Sequence, residues 1–164
     1  MGQTQHIKEE QMYRKIEDFL KQQGYQILGK KERFQIEDIG QKYFELDVIG
    51  YKDNTVWIIE CKRYCTIEQF SFALGQLACY KWIFQKKLDL LKQRIGMDVK
   101  KFKCSIALLE MNKYQLGSSL LETFKNILSH YGLNFGLLKI NGKTFEVKEE
   151  IYAEEIPAEI LQKV

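Results

Sequence analysis

The fold is decided by residues 44–80, FELDVIGYKDNTVWIIECKRYCTIEQFSFALGQLACY. Residues 43–51 and 56–63 are rich in β-branched and aromatic side chains, a pattern that predicts two strands. The polar segment 52–55 between them is made of turn-forming residues, so we expect the strands to form a hairpin. A long helix is predicted over 66–87, with Thr66 as its N-cap and Gln69 completing a capping box.

The second of these strands becomes charged at its end. Glu60 and Lys62 lie two residues apart and therefore share one face of an otherwise apolar strand. Asp47 lies on the first strand, and paired strands are only about 4.8 Å apart, so its carboxylate can approach that of Glu60. Two carboxylates without a soft ligand favour Mg²⁺ or Mn²⁺ over zinc. The backbone carbonyl oxygen of Cys61 is the third predicted ligand.

Such a site has the chemistry of phosphodiester hydrolysis. A bound metal ion can acidify a water molecule and offset the charge that develops on a phosphate. Lys62 can orient that water or stabilise the phosphorus under attack. The alternative is that Asp47, Glu60 and Lys62 form ion pairs in solvent at the edges of their strands.

These residues resemble the PD-(D/E)xK phosphodiesterase superfamily, which contains restriction-enzyme-like nucleases, junction resolvases and RecB-type nucleases. The matching elements are Asp47 in FELDVIG and, thirteen residues on, Glu60 and Lys62 in WIIECK. Gln76 and Tyr80 match the Q-x-x-x-Y element of the RecB-like branch. The segment EQFSFALGQLACYKW is also similar to the excision-controlling-factor family (XisH-like).

The resemblance implies a fold and a set of roles. The fold is an α/β restriction-endonuclease-like core over about 9–111, with a mixed central β-sheet flanked by helices in the order α-β-β-β-α-β. Mg²⁺ or Mn²⁺ is the implied cofactor. The implied catalytic residues are Asp47, Glu60, Lys62 and Gln76.

Four assignments are less constrained, namely those of Gln76, Tyr80, Glu45 and a glutamate of the first helix. Tyr80 and Gln76 are implied to line the site, although both also suit packing of a helix on a sheet. Glu45 is predicted on the face of Asp47, where it assists the metal or lies at the rim. The superfamily often carries a metal-binding glutamate on its first helix. Glu10 and Glu17 are the two candidates, and Glu17 is favoured because it shares the apolar face of that helix.

The rest of the chain is predicted as scaffold within a single domain, 1–164. We expect a first helix over about 7–23 that ends at Gly24, and a strand over 25–34. Beyond the core, the C-terminal part 112–164 is predicted to add a helix and a hairpin. The core is predicted to end with a strand over 103–111. The elements predicted beyond it are a helix over 118–131, strands 134–140 and 144–147 around the turn Asn141–Gly142, and a short helix from Ile151.

Charge and composition suggest the setting. The 164 residues carry a net charge of +3, but residues 81–103 hold eight basic and two acidic side chains. Lys81, Lys86 and Lys87 are therefore predicted DNA contacts, with a solvated helix face as the alternative. The four cysteines form no CxxC pair, and the chain shows no signal peptide and no apolar run of about 20 residues. These features predict a cytoplasmic protein with reduced thiols and no membrane partner.

Two functions of different classes remain. The first is a metal-dependent DNA endonuclease or resolvase-like enzyme. The second is a non-cleaving module with the nuclease fold, which binds DNA or a partner protein and acts in DNA rearrangement or restriction. A homodimer is expected for the first function because cutting two strands requires two sites, whereas an accessory protein is expected for the second.

Overall fold

The computed structural model describes residues 2–35, 43–111 and 113–159, with side chains over 9–28, 45–111 and 113–159. These residues form a mixed sheet of seven strands with helices on both faces, as the sequence predicts for the fold class. The elements are α1 (Gly2–Gln22), β1 (Gln26–Gln35), β2 (Tyr43–Lys52), β3 (Thr55–Lys62), α2 (Ile67–Lys86), α3 (Leu88–Ile95), β4 (Lys101–Leu109), α4 (Ser118–His130), β5 (Gly136–Ile140), β6 (Val147–Ile151) and β7 (Ile156–Pro157).

The sheet has the strand order β1-β2-β3-β4-β5-β6, with β7 paired to β4. The central strands β3, β4 and β5 are parallel, and the outer pairs are antiparallel. Parallel strands must be joined by crossovers, which is why α2 and α3 follow β3 and α4 follows β4. The carboxyl ends of the parallel strands therefore meet at one edge of the sheet.

The predicted hairpin is confirmed. β2 and β3 pair in register from Lys52–Thr55 to Val48–Ile59. Asp53 and Asn54 turn the chain with φ angles of 49° and 63°. Two successive positive φ angles are typical of the type I′ turns that match the twist of antiparallel strands.

Each face of the sheet has its own core. On one face α1 packs against Val48, Trp57 and Ile59, whereas on the other α2 and α4 pack against Ile58 and Ile106. Strand β3 is thus covered on both faces, and its residues from Thr55 to Cys61 are buried. Burial on both faces explains its nearly continuous apolar sequence. A charged residue at the end of such a strand requires partners or a function.

The long helix predicted over 66–87 is confirmed as α2, and a further helix, α3, follows it directly. Thr66 caps α2 as predicted, with its side-chain oxygen accepting a hydrogen bond from Gln69 N at 3.1 Å. In a complete capping box the Gln69 side chain would accept a hydrogen bond from Thr66 N. Here Thr66 N donates to Tyr64 O instead. At the other end Lys87 leaves helical geometry (φ −113°, ψ 36°) and α3 begins at Leu88. No proline or glycine marks this break in the sequence.

Two predictions for the C-terminal part are wrong. β5 and β6 are paired, but residues 141–146 join them, and the residue with a positive φ in this connection is Phe145. Asn141–Gly142 is therefore not a two-residue hairpin turn. The predicted helix from Ile151 is absent from the described residues, since Ile151 ends β6 and β7 pairs with Lys101 and Phe102 of β4. None of the described helices combines the length and apolar character needed to cross a bilayer.

Candidate functional site

The predicted acids meet where β2 and β3 separate. The ladder of registered pairs ends at Val48 and Ile59, one residue short of Asp47 and Glu60. Beyond this point the Asp47 carboxylate takes the place of a backbone acceptor, because its Oδ2 accepts a hydrogen bond from Cys61 N at 2.8 Å. This bond fixes the carboxylate beside Glu60, as the sequence predicts.

A cavity of about 710 Å³ opens beside these acids. Its walls come from α1, β2, β3 and α2 together. The residues that line it include Glu9, Tyr13, Glu45, Asp47, Glu60, Cys61, Lys62, Phe72, Gly75, Gln76, Cys79 and Tyr80. Every residue predicted from β2, β3 and the Q-x-x-x-Y element is therefore gathered around one cavity.

Glu60 is an unusual carboxylate. It is buried (4% exposed), and its Oε2 atom has no hydrogen-bond partner among the residues that the structure describes. Lys62 Nζ lies 3.8 Å from the other oxygen, Oε1. Burial, followed by the charge of Asp47 and a hydrogen bond with it, raises the pKa of Glu60 to about 9. Burial likewise raises the pKa of Asp47, against the hydrogen bond from Cys61. The metal-free pair therefore holds a proton at neutral pH.

Gln76 and Tyr80 contact the site through a short chain of hydrogen bonds. Tyr80 Oη donates to the backbone carbonyl of Glu45 at 2.9 Å, and the Gln76 side chain is hydrogen-bonded to Tyr80. Gln76 Oε1 is buried and accepts no hydrogen bond from the described part of the chain. Burial raises the pKa of Tyr80, with the charges of Glu60 and Asp47 acting in the same direction. Tyr80 thus holds the start of β2 against α2, whereas Gln76 leaves an acceptor in the cavity wall.

The first-helix glutamate at the cavity is Glu9, which the sequence analysis did not consider. Tyr13 Oη donates to Glu9 Oε1 at 2.8 Å and lies 3.4 Å from Asp47 Oδ1. The two predicted candidates lie elsewhere. Glu10 pairs with Arg14 at 3.7 Å on the exposed side of α1, and Glu17 is absent from the cavity lining.

The reason is the position of α1 along the sheet. Tyr13 lies over Asp47, and Leu20 lies over Gly50, where a Cβ would meet Leu20 Cδ1 at 3.1 Å. The helix therefore runs away from the carboxyl end of β3 as its numbering rises. Glu9, one turn before Tyr13, therefore reaches the site. Glu17, one turn after Tyr13, lies farther from it, above the sheet.

The predicted DNA contacts are not part of the cavity. Lys81, Lys86 and Lys87 are absent from its lining. Lys81 is half-buried near Cys104, whose pKa burial raises to about 12 while the charge of Lys81 acts in the opposite direction. Lys86 lies on the exposed side of α2, with Nζ 5.9 Å from the centroid of the Trp82 ring. Their contact with DNA stays a prediction.

The donor set fits a hard divalent cation. In the described part of the chain, no group of three or more His, Cys, Asp or Glu side chains is arranged to hold a metal. The cavity nevertheless presents the Asp47 and Glu60 carboxylates. Two of its buried acceptors, Glu60 Oε2 and Gln76 Oε1, receive no hydrogen bond from residues 2–35, 43–111 and 113–159 as far as their side chains are described. Oxygen atoms without donors are what Mg²⁺ or Mn²⁺ requires, with a backbone oxygen or water completing the shell.

Comparison with solved structures gives a match to an XisH family protein from Nostoc punctiforme PCC 73102. The TM-score is 0.53, and the match covers 87% of this chain and 99% of that chain. The two proteins share a fold. Because only 14% of residues are identical, the likeness extends to the fold alone. No protein-family model matches the chain, and comparison with curated proteins gives no match.

Proposed function

We propose that this protein is a metal-dependent phosphodiesterase that acts on DNA. The observation that supports this most strongly is a pair of buried acceptors, Glu60 Oε2 and Gln76 Oε1, in one cavity with Asp47 and Lys62. Neither atom has a hydrogen-bond donor among the described residues. Leaving a buried acceptor without a donor costs roughly 1–3 kcal/mol. Two such atoms in the lining of one cavity indicate that these acceptors are available to a ligand.

Asp47, Glu60 and the Cys61 carbonyl oxygen would hold the ion, with Glu9 beside them. When bound, Mg²⁺ or Mn²⁺ supplies positive charge against a phosphate and makes water more acidic. Asp47 is oriented for this role by Cys61 N–H, and Tyr13 holds the Glu9 carboxylate at the cavity.

Lys62 is the cation that the chain itself provides. Its side chain is 19% exposed and lies beside Glu60, so it faces the cavity while most of its stem is buried. An ammonium in this position donates hydrogen bonds to phosphate oxygens and stabilises the charge that develops on them. Gln76 orients the substrate or the attacking water through its side-chain amide.

The second candidate function is a non-cleaving accessory module in DNA rearrangement. The shared fold with an XisH family protein favours it. So does the resemblance of EQFSFALGQLACYKW on α2 to the same family. This module would keep the metal site but act through DNA or a partner protein.

Cleavage of supercoiled plasmid and of branched DNA, with Mg²⁺ or Mn²⁺, separates these functions. We expect the wild type to cut at least one substrate and Lys62→Ala to lower the rate by about 10²–10³-fold. Lys125→Ala, which removes an exposed lysine on α4, is the matched control and should keep full activity. A wild type that binds Mn²⁺ and DNA but cuts no substrate would exclude the enzyme and favour the accessory module.

A further inference from the structure

The exposed side of α2 is not a normal solvated helix face. Between Glu68 and Lys86, every exposed position of α2 is uncharged. Phe72 and Trp82 are 54% and 51% exposed, which is unusual for such large apolar side chains. The exposed positions of α4, by contrast, are all polar or charged. The exposed positions in the uncharged stretch of α2 are Ser71, Phe72, Gly75, Ala78, Cys79 and Trp82.

Six exposed residues of α2 follow a coiled-coil spacing. Successive members are separated by four, three, four, three and four positions, which places them on one seam of the helix. Their order reads the same from both ends: a charge, an aromatic ring, a small residue, a small residue, an aromatic ring and the opposite charge. The seam consists of Glu68, Phe72, Gly75, Cys79, Trp82 and Lys86.

This order is self-complementary in an antiparallel pair. A two-fold axis beside the middle of α2 sets Glu68 opposite Lys86 of a second copy. The same axis sets each Phe72 opposite a Trp82. Contacts in which residue i meets j and j meets i are the signature of an isologous interface. The charges at the two ends would attract in this arrangement and repel in a parallel one.

The centre of the seam allows the helices to approach closely. Gly75 and Cys79 are the small residues at the crossing point. A Cβ atom built on Gly75 meets nothing within 4 Å, so this position is open to an incoming helix. Small residues at a helix crossing bring the two backbones near each other, while the aromatic rings on both sides bury apolar area.

We propose that the chain forms a homodimer through antiparallel packing of α2 on α2 of a second copy. Phe72, Gly75 and Cys79 belong both to the seam and to the cavity wall. The second copy therefore brings its own Trp82 against Phe72 and completes the outer rim of the candidate site. The dimer itself is independent of the proposed hydrolysis, whereas its contribution to the site depends on that function.

Sedimentation velocity on the full chain, without metal or DNA, tests the dimer. We expect the wild type to sediment with twice the monomer mass at micromolar concentration. Glu68→Lys and Lys86→Glu each place like charges opposite one another, so each should raise the dimer dissociation constant about tenfold or more. The double variant restores opposite charges and should restore the wild-type constant. Glu122→Lys, on the exposed face of α4, is the control.

Tryptophan fluorescence gives a second reading in the same samples. Trp57 is fully buried, so dilution changes the environment of Trp82 alone, and its emission should shift to the red as dimers dissociate. A wild type that stays monomeric at every concentration would overturn the proposal, as would a dimer that both single reversals leave intact. If monomers instead bind single-stranded DNA through Trp82, nucleic acid rather than a second copy covers this face. Lys62→Ala should remain dimeric, which separates this result from failure of the proposed hydrolysis.

Discussion

Two buried glutamates lie at the carboxyl ends of neighbouring parallel strands, and they differ in their hydrogen-bond partners. Glu60 is near the end of β3, and Glu110 directly follows β4. They are 4% and 7% exposed. Glu110 Oε2 accepts a hydrogen bond from Leu116 N at 2.8 Å, and Lys139 Nζ lies 4.0 Å from its Oε1. Glu60, by contrast, has an oxygen atom, Oε2, to which no group of the described residues donates a hydrogen bond.

This difference indicates a structural role for Glu110 and a candidate functional role for Glu60. Lys139 also lies 3.4 Å from Glu150, so Glu110 belongs to a local network of charges and hydrogen bonds that connects β5, β6 and Leu116. The protein itself satisfies that acid. Glu60 on β3 is similarly buried, but its Oε2 atom receives no such hydrogen bond from the described residues. Burial raises the pKa of Glu60 to about 9. The contrast between the two sites can be tested on stability and on metal binding together.

The largest effect expected is a pH dependence of stability that originates at Glu60. Its pKa is raised from about 4.5 in the unfolded chain to about 9 in the fold, so the folded state binds the extra proton between these values. The metal-free protein should therefore lose stability as the pH rises from 5 to 9, by up to about 1.4 kcal/mol per pH unit. Urea unfolding at a series of pH values measures the slope.

Glu60→Gln removes this ionisation and should flatten the slope, making the metal-free variant more stable than the wild type at pH 8. Glu122→Gln, which removes an exposed glutamate, should keep the wild-type slope. A wild type equally stable from pH 5 to 9 would contradict the raised pKa.

The second-largest effect is expected at Glu110, where a substitution should change stability but not metal binding. Glu110→Ala removes the acceptor of Leu116 N–H and one partner of Lys139, so we expect a loss of roughly 2 kcal/mol in the free energy of unfolding. Mn²⁺ affinity should be unchanged, because Glu110 does not line the cavity. Calorimetric titration and urea unfolding on the same sample give both numbers. Loss of Mn²⁺ binding in this variant would show that the two acids do not act separately.

The smallest effect concerns Tyr13. Tyr13→Phe removes the hydroxyl group that holds Glu9 at 2.8 Å but keeps the buried ring. We expect Mn²⁺ affinity to fall by about three- to tenfold, which corresponds to about 0.7–1.4 kcal/mol, the range of one ordinary hydrogen bond. Tyr131→Phe, at an exposed tyrosine after α4, is the control. An unchanged affinity would exclude Glu9 from the metal site.

The sequence predicted the part of the site that depends on local geometry. Asp47, Glu60 and Lys62 follow from the two-residue period of a strand, and the turn at Asp53 and Asn54 brings their strands together. The helix after β3 was predicted with its cap at Thr66. These features are set within a few residues of chain, where alternation and turn chemistry act directly.

The features that the sequence did not predict depend on tertiary packing. Helical periodicity identifies the apolar face of α1 but not its position along the sheet, which Leu20 against Gly50 fixes. Glu9 was therefore missed, although its place one turn before Tyr13 was a usable signal. Gly142 suggested a hairpin turn, yet a Cβ atom there would collide with the backbone of Glu110. That glycine provides space for a neighbouring strand rather than a turn.

The most direct test of the metal site is calorimetric titration of Mn²⁺ into the metal-free protein at pH 7, in two buffers with different enthalpies of ionisation. Because the carboxylates must be ionised to bind a cation, we predict one Mn²⁺ per chain and the release of about one proton per ion bound. Asp47→Asn should abolish both signals. Absence of binding at millimolar Mn²⁺, or binding that persists when Asp47 and Glu60 are both replaced by amides, would contradict the account.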